Sequence, residues 1–293
     1  MEIDEREDSQ ANAAVGWYNL SDALIQVGRL RDTHHAALTA LSLSRELDNQ
    51  FREANSLQLL GTVLAVSGVG PDSEAALQRS IRLNTETNQL QSQGVGTAYL
   101  GERALWFGDP EQARQHADRA WELAHHDRHE RDFIRAARIQ GTAALALDDL
   151  DTANERLHHA LNRARATNNV EEELPTLIAL AELHHRQDQT NQAREHLNTI
   201  TEPATRGPYP THHANAQNQL ARIELDTGNH PAAITAATHA YHLAWCDGPP
   251  YTSAHTLQTA ANLLNQLNTP PPQPPPFNPN NHQPLPHTDI NPQ

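Results

Sequence analysis

The sequence predicts an all-α solenoid, because small residues and turn-forming residues each recur every forty positions without losing register. The small-residue column is Ser21, Gly61, Gly101, Gly141, Ala181 and Ala221. The turn column, seven residues further on, is Gly28, Gly68, Gly108, Asp148, Asp188 and Gly228. Self-similarity at one fixed period of this length is typical of stacked helical repeats, in which each unit buries its apolar face on its neighbours.

Each forty-residue unit contains two helical patterns. In the third unit the apolar spacing predicts a first helix over Gln93–Phe107, and Gly108-Asp109-Pro110 then interrupts it. Proline suits the first turn of the next helix, where its missing donor would have no partner in any case. That second helix presents one seam of small residues: Ala113, Ala117, Ala120 and Ala124. Two helices per unit, joined by a short turn, predict a row of helical hairpins.

The chain divides by composition into four segments. Residues 1–10 are an acidic leader, and residues 11–247 are the solenoid, with units at about 11–50, 51–90, 91–130, 131–170, 171–210 and 211–247. Residues 248–268 are expected to form a capping helix, since the last unit of an array needs a covered face. Pro203–Pro210 holds three prolines and should be the most irregular joint.

Residues 269–293 form a proline-rich tail with almost no charge, and two interpretations remain open for it. Runs of proline favour an extended, disordered polyproline-type segment. In the second interpretation, Phe277, Leu285 and Ile290 attach the tail to the surface of the solenoid.

Charge and cysteine content limit the partners and the compartment. The net charge of −15 disfavours nucleic acid, which would be repelled. The acidic start has no apolar stretch behind it, so no signal peptide is expected. The longest apolar run, Leu59–Gly70, is too short for a bilayer, which needs about 20 residues. A single cysteine fits a reducing compartment. We therefore expect a cytoplasmic protein without membrane or nucleic-acid partners.

The repeat columns resemble tetratricopeptide repeats. The first unit carries Trp17-x-x-Leu20-Ser21-x-x-Leu24, which is similar to the W-x-x-L-G-x-x-Y of that family. The period of forty fits a lengthened variety of the 34-residue form that is common in bacterial signalling proteins. Over Ala11–Ala244 the resemblance implies a right-handed α-solenoid of six hairpins, whose first helices line an inner groove that binds a protein or peptide.

The segment Leu243–Tyr251 is similar to the C-terminal endings of bacterial repeat proteins, in which the repeats often follow a signalling ATPase module. The chain has no lysine, so no phosphate-binding Walker loop is complete within it. This similarity implies an alternative function, as the sensor or regulatory region of a signalling ATPase or transcription regulator.

Residues at fixed offsets from the small-residue column should face the groove. They are Tyr18, Asp22, Gln58, Glu102, Arg135, Arg138, Glu182, Arg186, Asn218 and Arg222. Arg131, Arg135 and Arg138 share one helix face. Arginine and asparagine there either hold a carboxylate of a ligand, or the arginines only neutralise neighbours, Arg138 with Glu102 and Arg222 with Glu182.

No residue pattern indicates catalysis. Cys246 lies beside Asp247, whose charge disfavours a thiolate, and no nucleophile has a base at a suitable spacing. The histidine pairs lack a third ligand, and the tryptophans, Trp106 among them, are expected in the core rather than in a ligand cage. We expect no catalytic residues, no metal and no cofactor. The predicted function is a non-catalytic scaffold for a protein or peptide of unknown identity.

Overall fold

The structure is a computed structural model that describes residues 2–127, 129–206 and 209–275. Within these residues the chain is all-α and contains no strand, which confirms the predicted fold class. Thirteen helices occur in the described ranges: α1 (Glu2–Gln26), α2 (Leu30–Glu46), α3 (Gln50–Val66), α4 (Gly70–Glu86), α5 (Leu90–Trp106), α6 (Pro110–Asp127), α7 (Glu130–Ala146), α8 (Leu150–Ala166), α9 (Val170–Arg186), α10 (Thr190–Arg206), α11 (Pro210–Asp226), α12 (His230–Ala244) and α13 (Ala254–Gln266). None of the helices in this part of the chain is long and apolar enough to cross a membrane.

Consecutive helices pair as hairpins, from α1 with α2 to α11 with α12, and each hairpin packs on the next. The seams consist of alanines without exposed surface, among them Ala113 and Ala117 in α6 and Ala153 and Ala160 in α8. Small side chains allow the helix backbones to approach closely, and the leucines fill the space that remains. The result is a helical solenoid whose apolar core continues from hairpin to hairpin.

The predicted turn column lies between the two helices of each hairpin. Gly28, Gly68, Gly108 and Gly228 all have positive φ angles, between 72° and 82°. In the first turn, the N–H of Gly28 donates to the Ile25 carbonyl and the N–H of Arg29 donates to the Leu24 carbonyl. This pattern satisfies the last carbonyls of a helix and needs a left-handed residue, which glycine adopts most easily.

Three predicted boundaries differ from the structure. The acidic leader at residues 1–10 was expected before the solenoid, but α1 begins at Glu2 and includes it, since acidic residues are favoured in the first turns of a helix. The helix predicted at Gln93–Phe107 is α5, which begins three residues earlier. The capping helix predicted within 248–268 is α13, which begins only at Ala254.

The proline-rich segments lie partly outside the described residues. At the joint predicted to be irregular, α10 continues to Arg206 and includes Pro203, and α11 begins at Pro210. Residues 207 and 208 between them are outside the described ranges. The tail has no regular secondary structure over residues 269–275. Residues 276–293, with Phe277, Leu285 and Ile290, are outside the described part, so both interpretations of the tail stay predictions.

The first hairpin contacts the segment that follows the last one, at a junction we call the clasp: Gly28, Arg31, Cys246, Asp247 and Tyr251. The backbone N–H of Arg31 donates to Asp247 Oδ2 over 2.9 Å. The Arg31 guanidinium lies 5.2 Å from the centre of the Tyr251 ring. A Cβ on Gly28 would lie 3.6 Å from Cys246 Sγ. The two ends of the array are therefore in direct contact.

Asp247 provides α2 with a helix cap that its own sequence lacks. The residue at the N-cap of α2, Arg29, makes no capping hydrogen bond. Side-chain oxygens normally satisfy the free N–H groups of the first turn, and a negative charge is favoured there. An aspartate 216 positions away along the chain fills this role. Gln26 at the end of α1 also donates to Glu171 of α9, over 3.2 Å. These contacts bring the first helices of distant hairpins together around a cavity.

Replacing Gly141 by alanine should destabilise the protein by about 1–3 kcal/mol, the usual cost of overpacking. A Cβ on Gly141 would lie 2.6 Å from Leu157 Cγ and 3.1 Å from the Leu157 backbone nitrogen. The control is Gly16→Ala in α1, where a Cβ meets no atom within 4 Å and alanine should stabilise the helix by about 0.5–1 kcal/mol. Urea unfolding followed by circular dichroism measures both. Equal stability of Gly141→Ala and the wild type would contradict the close packing.

Replacing Asp247 by alanine should open the clasp and expose the Cys246 thiol. Loss of a cap costs about 1 kcal/mol, which corresponds to an about fivefold faster reaction of the thiol through the open state. Burial, and then the charge of Asp247, raise the pKa of Cys246 to about 11. Because removing Asp247 also changes the fraction of thiolate, labelling rates are measured at several pH values and divided by that fraction. The readout is the labelling rate with a thiol reagent.

The matched control for the clasp is Asp149→Ala. Asp149 accepts a hydrogen bond from the Thr152 N–H of its own helix, at 3.1 Å, so this variant loses a cap without touching the clasp. Its Cys246 should react at the wild-type rate. Equal labelling rates in both variants would show that Asp247 does not hold the ends together.

Candidate functional site

The inner helices enclose a chamber of about 420 Å³. Side chains from the first helices of the hairpins (α1, α3, α5, α7, α9 and α11) and from α13 line it, together with Leu30 at the start of α2. Its apolar wall includes Leu59, Leu105, Trp106, Leu145 and Ile178. Volumes of about 300–1,000 Å³ are typical of sites for small ligands. The inner face therefore forms a cavity that is partly open to solvent.

Six of the ten residues expected on the inner face line this chamber: Glu102, Arg135, Arg138, Glu182, Asn218 and Arg222. The other four lie beside it. Gln58 is buried in α3, and Arg186 is exposed and donates to the Leu145 carbonyl. Tyr18 and Asp22 are half-buried on α1. Burial, and then the charge of Glu171, raise the pKa of Asp22, while arginines of α7 oppose the shift.

One wall of the chamber is an arginine–glutamate network, formed by Arg131, Arg135, Arg138, Glu102, Glu171 and Glu172 of α5, α7 and α9. Arg135 Nε donates to one carboxylate oxygen of Glu172 at 2.7 Å, and Arg138 Nε donates to the other at 2.8 Å. Arg138 also pairs with Glu102, and Arg131 and Arg135 pair with Glu171. The interpretation that Arg138 neutralises Glu102 is thus confirmed.

Glu172 is the buried centre of the network, with 1% of its surface exposed. Burial disfavours its charge, but Arg135 and Arg138 outweigh burial and lower the pKa of Glu172 to about 2. Burial likewise disfavours the charge of Arg138, and Glu172 and Glu102 raise its pKa in spite of it. Glu172, Arg135 and Arg138 are therefore ionised at neutral pH. The network joins three inner helices through charge-assisted hydrogen bonds, which are stronger than neutral ones.

Sequence reasoning missed Glu171 and Glu172 as members of the site. A signal for Glu171 was present, because it lies one forty-residue period after Arg131 and such residues face each other on neighbouring hairpins. Glu172 is in the first turn of α9, where its N–H donates to Asn169 Oδ1 of the helix cap. Tyr99 was missed as well, and its ring lies 4.7 Å from the Arg135 guanidinium.

Asn218 is buried, and its amide holds the capping helix in place. Its Nδ2 donates to the Thr256 carbonyl of α13 over 2.9 Å. The Thr256 hydroxyl in turn donates to Asn215 Oδ1 over 2.8 Å. Asn218 therefore attaches α13 to α11, and α13 closes the chamber at that end.

Arg222 differs from the other arginines on the chamber wall. Its guanidinium donates only to Gln219 Oε1 of the same helix, over 3.3 Å, and no carboxylate of the described residues forms an ion pair with it. The expectation that it neutralises Glu182 is wrong, because Glu182 pairs with Arg186 at 2.7 Å. Burial, and then the charge of Arg222, lower the pKa of His255, which also lines the chamber, so its imidazole is neutral at neutral pH.

The thiol of Cys246 lies away from the chamber, whereas the imidazoles of His212 and His255 line it. Cys246 belongs to the clasp, and its raised pKa keeps the thiol protonated at neutral pH. In the described ranges, no three side chains of the histidine, cysteine, aspartate or glutamate type are arranged to hold a metal ion. The chamber presents apolar surface, paired ions and one arginine without an acidic partner, which are means of binding.

Replacing Glu172 by glutamine should lower the free energy of unfolding at pH 7 by about 3 kcal/mol, because two buried arginines lose their shared partner. The folded-state pKa of about 2 lies below the unfolded value of about 4.3, so this stabilisation is present above pH 4.3 and disappears between about pH 4.3 and 2. The stability of the variant should fall less than that of the wild type over this range. Chemical unfolding at several pH values measures the difference.

Glu122→Gln is the control for the network, because Glu122 forms an exposed pair with Arg119. Exposed pairs contribute about 0–1 kcal/mol. A Glu172→Gln profile parallel to that of the wild type between pH 4.3 and 2 would show that Glu172 does not stabilise the fold through its charge.

No protein-family model matches the sequence, and no curated protein is similar to it in sequence. Solved structures with the same fold include the apo form of RapI, with a TM-score of 0.62 at 12% identity, covering 88% of this chain and 85% of RapI. Aspartyl phosphate phosphatase F from Bacillus subtilis gives a TM-score of 0.58 at 9% identity, covering 91% of this chain and 73% of that one.

The Cut9–Hcn1 hetero-tetramer of APC/C gives a TM-score of 0.56 at 18% identity, covering 84% of this chain and 42% of the chain compared. All three identities are so low that the likeness concerns the fold alone. The paired helices, the recurring turns and these neighbours together show that the chain has the fold of a tetratricopeptide-type helical solenoid.

Proposed function

We propose that this chain is a non-catalytic binding module that takes up a short peptide segment of a partner protein in its chamber. The observation that carries the proposal is that the first helices of the hairpins and α13 meet at one chamber, which combines apolar and charged surface. Leu105, Trp106 and Ile178 offer apolar surface, and the arginine–glutamate network adds charged side chains from the same helices and from α7. Such a combination is typical of ligand sites.

The size of the chamber limits the ligand. About 420 Å³ accommodates a few side chains of an extended segment and excludes a folded domain. The APC/C hetero-tetramer Cut9–Hcn1 contains a chain with this fold and consists of different polypeptides. By analogy, this supports a polypeptide ligand for the chamber. The identity of the partner protein is not part of the proposal.

The alternative function is that of a sensor or regulatory region, and the clasp favours it. Asp247 and Arg31 join the two ends of the array, and residues on both sides of the clasp, Leu30 and Ser253, line the chamber. A ligand that binds only the closed arrangement would shift the equilibrium towards it. The similarity of Leu243–Tyr251 to the endings of repeats attached to signalling ATPases supports the same alternative.

Filling the chamber should abolish peptide binding. Peptides are selected from a displayed random library on the wild-type chain, and their affinities are then measured with Thr142→Trp. Thr142 is half-buried on the chamber wall, and tryptophan there occupies the space of the ligand. We expect affinities at least about tenfold lower, a loss of about 1.4 kcal/mol or more.

The matched control is Thr235→Trp. Both threonine hydroxyls donate to the carbonyl four residues earlier at 2.9 Å, but Thr235 is exposed on α12, outside the chamber. This variant should bind the peptides as the wild type does. If no selected peptide distinguishes Thr142→Trp from Thr235→Trp, the chamber is not the binding site.

A further inference from the structure

We infer that the ligand of the chamber carries a carboxylate, and that Arg222 and Gln219 of α11 bind it. This inference rests on the proposed function of the chamber and adds the chemical class of the group that is recognised. It depends on two neighbouring side chains of the chamber wall: Arg222, which pairs with no carboxylate of the described residues, and Gln219, whose amide Nε2 has no acceptor among them.

The first donor is the guanidinium of Arg222. Every glutamate on the chamber wall is paired with another arginine: Glu171 and Glu172 with arginines of α7, Glu102 with Arg138, and Glu182 with Arg186. Arg222 is half-buried and has only the weak 3.3 Å bond to Gln219. The positive charge of Arg222 is therefore not balanced by any acidic side chain on this wall.

The second donor is the side-chain amide of Gln219. Its Nε2 is buried and has no hydrogen-bond partner among the described residues, and Gln219 as a whole is 5% exposed. Its Oε1 accepts from Arg222, which places the two side chains next to each other. A buried donor without a partner is unfavourable, and an acceptor supplied by the ligand recovers this loss.

A carboxylate fits these two donors better than a more highly charged group. A guanidinium binds a carboxylate through two parallel N–H bonds, and an adjacent amide donor can add a third bond. Only one positive charge is unbalanced here, and Glu102 and Glu182 line the same chamber. A doubly charged phosphate would therefore bring an excess of negative charge into a chamber that these glutamates line, whereas a carboxylate brings only the charge that Arg222 balances.

The apolar residues of the chamber wall indicate what the rest of the ligand is like. Leu145 and Ile178 line the same chamber as Arg222, together with Trp106. The preferred ligand is thus a short peptide segment with an apolar side chain beside a carboxylate. That carboxylate belongs either to an acidic side chain or to the end of a peptide, and the two sources are separated in the experiment.

The experiment uses peptides from the library whose binding is lost in Thr142→Trp. Each peptide is also synthesised with an amidated C-terminus and, separately, with its aspartates and glutamates changed to the corresponding amides. Affinities for all forms are measured by calorimetry with the wild type, Arg222→Gln and Arg82→Gln. Arg82 is exposed on α4, so its substitution gives the same charge change away from the chamber.

We expect Arg222→Gln to weaken binding of the carboxylate form about 10- to 100-fold, the range for a charge-assisted hydrogen bond. Neutralising the recognised carboxylate should weaken binding to the wild type by a similar factor and should have no further effect in Arg222→Gln. Arg82→Gln should behave as the wild type. Whichever peptide modification shows this coupling identifies the source of the carboxylate.

Two results would overturn the inference, and they differ in what they say about the chamber. If the peptides bind in the chamber but neither neutralisation nor Arg222→Gln changes affinity more than about threefold, the carboxylate inference is wrong and the proposed function stands. If no peptide is lost in Thr142→Trp, both are wrong. Circular dichroism of Arg222→Gln verifies that the variant is folded; the substitution removes an unbalanced charge, so stability should not fall.

Discussion

The close approach of the two helices in each hairpin is the constraint on which the rest of the structure depends. At Gly141 there is no room for a methyl group above Leu157, and Gly61 has a similar contact with Leu77. Such contacts fix how one helix lies on the next, because packed interiors leave little freedom. Repeated hairpin after hairpin, the same rotation accumulates along the array. It brings the first hairpin against the segment after the last one.

Curvature of this kind forces charged side chains into the interior, and the arginine–glutamate network is the way in which the chain accommodates them. A buried carboxylate such as Glu172 is costly unless its oxygens are fully hydrogen-bonded, and two arginines meet that requirement. As a consequence, only some of the arginines on the inner face can bind a ligand. Arg135 and Arg138 are paired with glutamates, so the arginine stripe of α7 stabilises the fold. Arg222 on α11 pairs with no carboxylate of the described residues and can bind a ligand.

The sequence predicts the fold well and the site only in part. A forty-residue period defines the helices, the left-handed turns at Gly28 and its equivalents, and the inward direction of the first helix of each unit, since these are local or nearest-neighbour properties. Contacts between distant units depend on the accumulated curvature, which periodicity does not specify. For that reason the pairing of Gln26 with Glu171, the clasp at Asp247 and the narrowing of the groove into a chamber were not predicted.

Asn218 illustrates a second limit. Its position on the inner face was predicted correctly, but its amide holds α13, whose packing direction no repeat determines. The position of a residue within the repeat thus predicts whether it faces inward. Whether its polar atoms are already bonded to another part of the chain can be seen only in the three-dimensional structure.

The clasp changes how such an array comes apart. In an open solenoid each terminal hairpin has one neighbour and frays first, and stability is a sum of local terms. Here Asp247 and Tyr251 give the first hairpin a second neighbour, so neither end is a free end. A linear stack thereby acquires a contact between its two ends, and fraying of the first hairpin has to break this contact as well.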